Sequence, residues 1–181
     1  SDGMGSGSRA CKESEMVIEL IEKFLEAGFS KETAIRMMNS AMVIRGEDDL
    51  FSTVDISALN LYDGNCTFYK IGASATFIRR ADCVECLISE NLPVGVYHSV
   101  EIEKTTRSLS DGDFIIMMSD GVLEYLNVPH PEEAMESIIA GIDTNHPGRF
   151  AKQLLDQVLV YTDGKVSDDM TVLVAAVWEK A

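Results

Sequence analysis

The chain has 181 residues, with 15 Lys and Arg against 30 Asp and Glu, giving a formal charge of −15. One domain accounts for that length, and 46% hydrophobic with 25% charged residues is a composition that buries a core. So acidic a surface repels phosphate backbones and anionic lipid headgroups, which speaks against nucleic-acid binding and membrane docking and points instead to a cation.

Taken in chain order, residues 1–8 read Ser-Asp-Gly-Met-Gly-Ser-Gly-Ser, too rich in Gly and Ser for a regular element. Helical spacing of Val17, Leu20, Ile21, Phe24 and Leu25 predicts an amphipathic helix from Arg9 to Ala27, stopped by Gly28. Ser30 can cap a second helix from Lys31 to Val43, with Ala34, Ile35, Met38 and Met42 on one face and Gly46 beyond its end. Strands follow: Phe51 to Tyr62, an Asp63-Gly64 hairpin turn, Cys66 to Ile71, Thr76 to Arg80, Val84 to Ile88, and Val100 to Leu109. Asp111-Gly112 leads into Asp113 to Met118, apolar on both faces like a strand buried on both sides. A short helical stretch from Val122 to Leu126 is expected next, then helices over Pro131 to Gly141 and Arg149 to Tyr161, the latter ended by Asp163-Gly164. An apolar strand from Met170 to Trp178 closes the chain. With no internal repeat or linker, the reading is a single α+β domain over residues 1–181, with sheets packed between helical layers. No run reaches the roughly 20 apolar residues of a membrane-spanning helix, and a signal peptide's basic and apolar regions are missing, so no membrane contact is expected of this chain.

Five Asp-Gly pairs occur, and most such pairs are simply turns. Asp63, Asp111 and Asp163 fit that use. Asp120-Gly121 differs, because it ends the buried strand and is followed at once by Val122 and Leu123. Asp2-Gly3 lies in flexible backbone just before the first helix, and Asp168-Asp169 opens the last strand. Three carboxylate sites at the ends of core elements could converge on one point. Clustered carboxylates repel one another unless a hard divalent cation neutralises them, and all-oxygen sites suit Mg²⁺ or Mn²⁺.

Asp2-Gly3-Met-Gly, Asp120-Gly121 and Asp168-Asp169-Met170-Thr171 resemble, in order and spacing, the metal-binding motifs of the PPM (PP2C-like) protein phosphatases. Within that family the opening ten residues, the block Phe51-Ser-Thr-Val-Asp55 and the segment Asn91-Leu-Pro-Val-Gly95 are most similar to a bacterial sporulation branch, and the likeness runs over nearly the whole chain. The resemblance implies a PP2C-like αββα sandwich, two antiparallel sheets between helical layers. It implies a binuclear Mn²⁺ or Mg²⁺ centre that hydrolyses phosphoserine, in that branch on an anti-sigma factor antagonist, so activating a sporulation sigma factor. Asp2 would bridge the two metals, the Gly3 carbonyl would hold the second, and Asp120 and Asp168 would hold the first. Metal-activated water serves as nucleophile in such hydrolysis, so no catalytic side chain beyond the ligands is required.

Family members carry a further aspartate on a strand upstream of the Asp-Gly loop, and it has no counterpart here. The expectation is therefore an N-terminally truncated domain lacking one or more strands, inactive as a fragment for want of that ligand. Its cytoplasmic domain would belong to a protein anchored in the membrane through an upstream region. The alternative is a non-catalytic module of the same fold that binds a phosphoprotein or regulator. Because the Asp2-Gly3 loop feeds directly into the helical hairpin 9–45, that hairpin is a candidate regulatory element, and it could also carry a homodimer contact.

Other motifs have plainer readings. Four cysteines, Cys11, Cys66, Cys83 and Cys86, are too few for a disulfide-stapled secreted domain. Cys83-Val-Glu-Cys86 lacks the second pair a zinc site needs, which leaves a turn between strands. His98, His130 and His146 fall in polar, Pro-flanked loops and are expected at the surface. Met37, Met38 and Met42 read as core packing of a helix. Of the neighbours Asp168 and Asp169, only one can face a common centre in extended chain, and the family match selects Asp168.

Overall fold

The computed structural model describes residues 1–3, 8–45, 51–161 and 169–179. Its elements are β1 (Asp2–Gly3), α1 (Ser8–Glu26), α2 (Lys31–Arg45), β2 (Ser52–Leu59), β3 (Asn65–Ile71), β4 (Thr76–Arg79), β5 (Val84–Leu87), β6 (Glu103–Ser108), β7 (Phe114–Met118), α3 (Asp120–Glu124), α4 (Pro131–Gly141), α5 (Pro147–Tyr161) and β8 (Val172–Ala176). The fold is α+β, with one four-stranded sheet ordered β1-β2-β3-β6 and another ordered β5-β4-β7-β8. Two compact units emerge, Ser1–Ala58 with Thr67–Ala73 and Ser89–Thr106, and Leu59–Cys66 with Ser74–Ile88 and Arg107–Ala181. No helix among the described residues is long and apolar enough to cross a membrane.

In the first unit the helical hairpin is set by its caps. Gly28 adopts φ 87, and the amides of Gly28 and Phe29 bond back to the Leu25 and Phe24 carbonyls, closing α1 with a left-handed residue. Phe24 and Phe29 meet edge to face at 6.1 Å across that stop. The Ser30 hydroxyl then accepts the Thr33 amide at 3.2 Å, capping α2 as its sequence suggests. Val17 and Ile21 of α1 and Ile35, Met38 and Met42 of α2 bury themselves against Val54, Tyr69, Ile71, Val94 and Val100. On the other face of the same strands, Asp55 and Lys70 form an ion pair at 2.6 Å with both side chains largely withdrawn from water.

A second polar link joins α2 to β6. Lys104 Nζ donates to Glu32 Oε1 at 2.6 Å and lies over the Tyr69 ring. The segment before β6 is fastened from the same helix. Buried Asn39 donates to the Tyr97 carbonyl at 2.9 Å and accepts the Gly95 amide at 2.9 Å, while Arg36 donates to the Val100 carbonyl.

In the second unit β7 lies between β4 and β8, and Phe114, Ile115, Ile116 and Met118 are buried, as an interior strand apolar on both faces requires. Its core joins β4 and β7 to the buried stripe of α5, Phe150, Leu154 and Val158, and to Met135, Ile138 and Ile139 of α4. Phe114 stacks on Phe150 at 5.4 Å, with the Arg79 guanidinium over both rings.

Several boundaries differ from the sequence reading for identifiable reasons. Regular structure reaches into the Gly- and Ser-rich opening at its described residues, because Asp2 and Gly3 pair with Thr53 and Ser52 as an edge strand and α1 already starts at Ser8. Arg80 leaves β4 because its amide bonds to the Cys83 carbonyl in the turn. Asp120 stands in the first turn of α3, where Val122 was expected to open the helix. Gly46 and the Asp163-Gly164 stop lie outside the described residues.

The Lys104–Glu32 link carries a pH signature. The hydrogen bond from Lys104 holds the Glu32 carboxyl below the usual carboxylate range, and the bond to Glu32 raises the Lys104 ammonium above the ordinary lysine value. The depressed acid contributes stability that is lost as pH falls through its lowered value; the raised base contributes stability that is lost as pH rises through its raised value. Both groups are solvent-accessible, so the effect is small. Glu32→Gln should lower the melting temperature slightly at pH 7 and leave it unchanged in acid where Glu32 is protonated, as checked by thermal denaturation at both pH values.

Candidate functional site

The first unit supplies Asp2 and Gly3. A two-residue strand has little ladder of its own, and hydroxyl groups complete it. The Asp2 amide donates to Thr53 Oγ1 at 3.2 Å, Ser52 Oγ donates to the Asp2 carbonyl at 2.7 Å, and Ser14 Oγ of α1 donates to the Ser1 carbonyl at 2.7 Å. Asp2 is half-buried and Gly3 buried. The residue at position 3 has to be glycine, since a Cβ there would stand 2.2 Å from the Ala10 carbonyl oxygen and 2.8 Å from its carbon. The first turns of α1 thus lie directly on the strand, with backbone against backbone.

The second unit supplies Asp120. Buried β7 ends at Met118, Ser119 is extended (φ −73, ψ 159), and Asp120 opens α3 with its side chain in solvent. Gly121, Val122 and Leu123 are buried beneath it, which fixes the turn from inside. Asp120 Oδ1 accepts the Gly121 amide at 2.8 Å. Ser119 ties this corner to the approach to β8: its amide donates to the Thr171 carbonyl at 3.0 Å, its Oγ accepts the Thr171 amide at 3.0 Å, and its Oγ approaches the Asp169 carbonyl at 3.2 Å. Residues 169–171 are therefore stitched beside Asp120, and Asp169 is exposed. Asp168, the remaining carboxylate of the sequence-derived set, lies outside the described residues. Among the described residues no group of three or more His, Cys, Asp or Glu could hold a metal ion. In its chemistry the set of Asp2, Asp120 and Asp168 carboxylates and the Gly3 carbonyl is all oxygen, the donor type that hard Mg²⁺ and Mn²⁺ take.

The other candidates behave as ordinary structure. Cys83 sits in the β4–β5 turn and Cys86 on β5 opposite Phe77, and all four cysteines are free thiols. Burial pushes the Cys66 thiol up to about 11, which keeps it from acting as a thiolate. His98, His130 and His146 are exposed. Met38 and Met42 are buried in the core, and Met37 is partly buried. Sequence reasoning missed the hydroxyl framework of Ser14, Ser52, Thr53 and Ser119. The one available signal was the adjacency of Ser119 to Asp120, since the partners of these hydroxyls are remote in the chain.

Comparison with known proteins places these features in context. The family model described as Stage II sporulation protein E (SpoIIE) matches residues 1–178. Stage II sporulation protein E of Bacillus subtilis (strain 168) is 39% identical over 178 residues, covering 98% of this chain and 22% of that protein, so the chain spans about a fifth of the relative's length. A solved structure of the PP2C phosphatase domain and a fragment of the regulatory domain of SpoIIE from Bacillus subtilis superposes with a TM-score of 0.90 at 39% identity, over 98% of this chain and 53% of that one. Another, of the SpoIIE phosphatase domain from a manganese-presoaked crystal, gives a TM-score of 0.70 at 33% identity, over 91% of this chain and 74% of that one. The two-sheet α+β fold is that of these PP2C phosphatase domains.

Because a Cβ on residue 3 would meet the Ala10 backbone, Gly3→Ala should force α1 and β1 apart, at a cost of about 1–3 kcal/mol or more since backbone cannot yield as a side chain can. Denaturant unfolding of Gly3→Ala beside Gly141→Ala, whose Cβ would meet nothing within 4 Å, checks this, with the loss expected only at position 3.

Proposed function

The chain belongs to the stage II sporulation protein E family, and on that premise we propose that it is a metal-dependent protein serine phosphatase domain that hydrolyses phosphoserine on an anti-sigma factor antagonist and thereby activates a sporulation sigma factor. The observation that carries the proposal is the match to the SpoIIE PP2C phosphatase domain over 98% of the chain, together with an Asp-Gly strand and an Asp-Gly helix start held by dedicated hydroxyls. In the same proposal the domain works in the cytoplasm, in a protein anchored elsewhere along its length, with the hairpin 9–45 as its regulatory element and a homodimer contact.

The Asp2 and Asp120 carboxylates, the Gly3 carbonyl and Asp168 would hold two Mn²⁺ or Mg²⁺ ions. Such ions acidify water and neutralise charge on phosphoryl oxygens. What the chain itself does is orient donors. Thr53 and Ser52 hold the Asp2 backbone at its amide and carbonyl, and the Gly121 amide holds one Asp120 oxygen. Ser119 holds the segment that leads into β8 against the same corner. A chain of formal charge −15 repels a phosphorylated protein. Divalent cations held by these carboxylates would offset that repulsion locally, so substrate attraction and chemistry would share a cause.

Asp120→Asn keeps the size of the side chain and removes a ligand charge. In the intact domain, turnover of a phosphoserine protein in Mn²⁺ should fall by about a hundredfold or more, the equivalent of roughly 3 kcal/mol of lost charge stabilisation, with the melting temperature of the metal-free protein unchanged. Retained turnover would defeat the assignment of Asp120. Absence of turnover both in this chain and in one extended N-terminally to carry the upstream aspartate, alongside tight binding of the phosphoprotein, would identify a non-catalytic binding module instead.

A further inference from the structure

We infer that Ser52 is a positioning residue of the Asp2–Gly3 strand, its buried hydroxyl holding in place the backbone that bears the Asp2 carboxylate and the Gly3 carbonyl as donors to the cation. The inference rests on the metal-dependent reading above, and it concerns a residue that touches neither substrate nor metal in that reading. Ser52 is 0% exposed and lies opposite Gly3 in the β1–β2 register. Its Oγ donates to the Asp2 carbonyl at 2.7 Å, with Ser1 Oγ 2.8 Å away. The carbonyl of Asp2 shares one peptide plane with the Gly3 amide, so holding that oxygen restrains the backbone dihedral angles on either side of the plane, Asp2 ψ and Gly3 φ, and with them the backbone from which both donors project. Thr53 fixes the other side of Asp2 through its amide.

A hydroxyl positions only as well as the backbone that bears it, and Ser52 stands on a braced one. Its amide donates to the Val94 carbonyl at 3.2 Å and its carbonyl accepts the Val94 amide at 2.9 Å, an isolated bridge that closes the strand's far side. Val94 is held in turn. Gly72 (φ 60) lets the chain approach so closely that a Cβ would sit 2.7 Å from the Pro93 nitrogen, and the Gly95 amide bonds to buried Asn39. Ser52 therefore links, through its backbone on one side and its hydroxyl on the other, a firmly seated loop to a strand too short to seat itself. Burying a hydroxyl is costly unless it is satisfied, and of the Ser1 hydroxyl and the Asp2 and Thr53 carbonyls that surround this one, the shortest contact is to the Asp2 carbonyl.

The test is a Mn²⁺ titration by calorimetry of the full chain and of Ser52→Ala, each paired with a metal-free thermal melt. Outer-shell partners of metal ligands typically contribute about 10- to 100-fold in affinity, so Ser52→Ala should fold and bind Mn²⁺ weaker by that factor. Should the alanine variant fail to fold, Ser52→Cys, which fills the same space with a weak donor, is expected to show the same loss. A lowered melting temperature with unchanged Mn²⁺ affinity would make Ser52 a structural hydroxyl and overturn the inference while leaving the phosphatase reading intact. Failure of the unsubstituted chain to bind Mn²⁺ would instead remove the metal reading, and the positioning role with it.

Discussion

Everything proposed for this molecule depends on how a strand of two residues is kept in place. β1 cannot hold itself, because two residues make too few ladder bonds to offset the entropy of ordering them. Its position is set from outside by the α1 backbone, which presses on Gly3 so closely that no side chain fits, and by the hydroxyls of Ser14, Ser52 and Thr53. These are short, stiff contacts rather than a hydrophobic seat. Apolar burial secures the scaffold around it, through Val17, Ile35, Met38 and Val54, and polar contacts place the residue that carries the charge.

The second unit solves a related problem by a different route. There a strand buried on both faces ends at Met118, and the chain turns at once into a helix whose next residues are buried, so Asp120 is carried to the surface by packing on either side of it. Ser119 then does for residues 169–171 what Ser52 does for Asp2. In both units a serine fixes a backbone segment beside an aspartate. In the proposed metal-dependent reading, that arrangement would keep each oxygen donor available to a hard cation.

Much of the fold was legible in the sequence because it is written in local signals. Gly28 and Ser30 end and begin helices by capping rules that act within a few residues, and the stripe Phe150, Leu154, Val158 follows from helical periodicity. The unbroken apolar run of β7 announced an interior strand. β1 was illegible for the opposite reason: its two residues carry no period, and its partner lies about fifty residues away. Its Gly-rich surroundings read as irregular, whereas Gly3 serves a close approach of helix to strand. Asp2, Gly3 and Asp120 were picked out as unusual from their positions alone. The serines that hold them were not, since a hydroxyl's partner can be read only when the chain has been brought back on itself, and Asp168 falls among residues the structure does not describe.

The measurement that bears most directly on the whole is phosphate release from a phosphoserine-bearing anti-sigma factor antagonist by the domain extended N-terminally to carry the upstream aspartate, followed as Mn²⁺ is titrated and then withdrawn with a chelator. The account predicts release that rises with Mn²⁺, saturates, and stops on chelation. Release indifferent to the chelator, or none at any Mn²⁺ concentration, would contradict it.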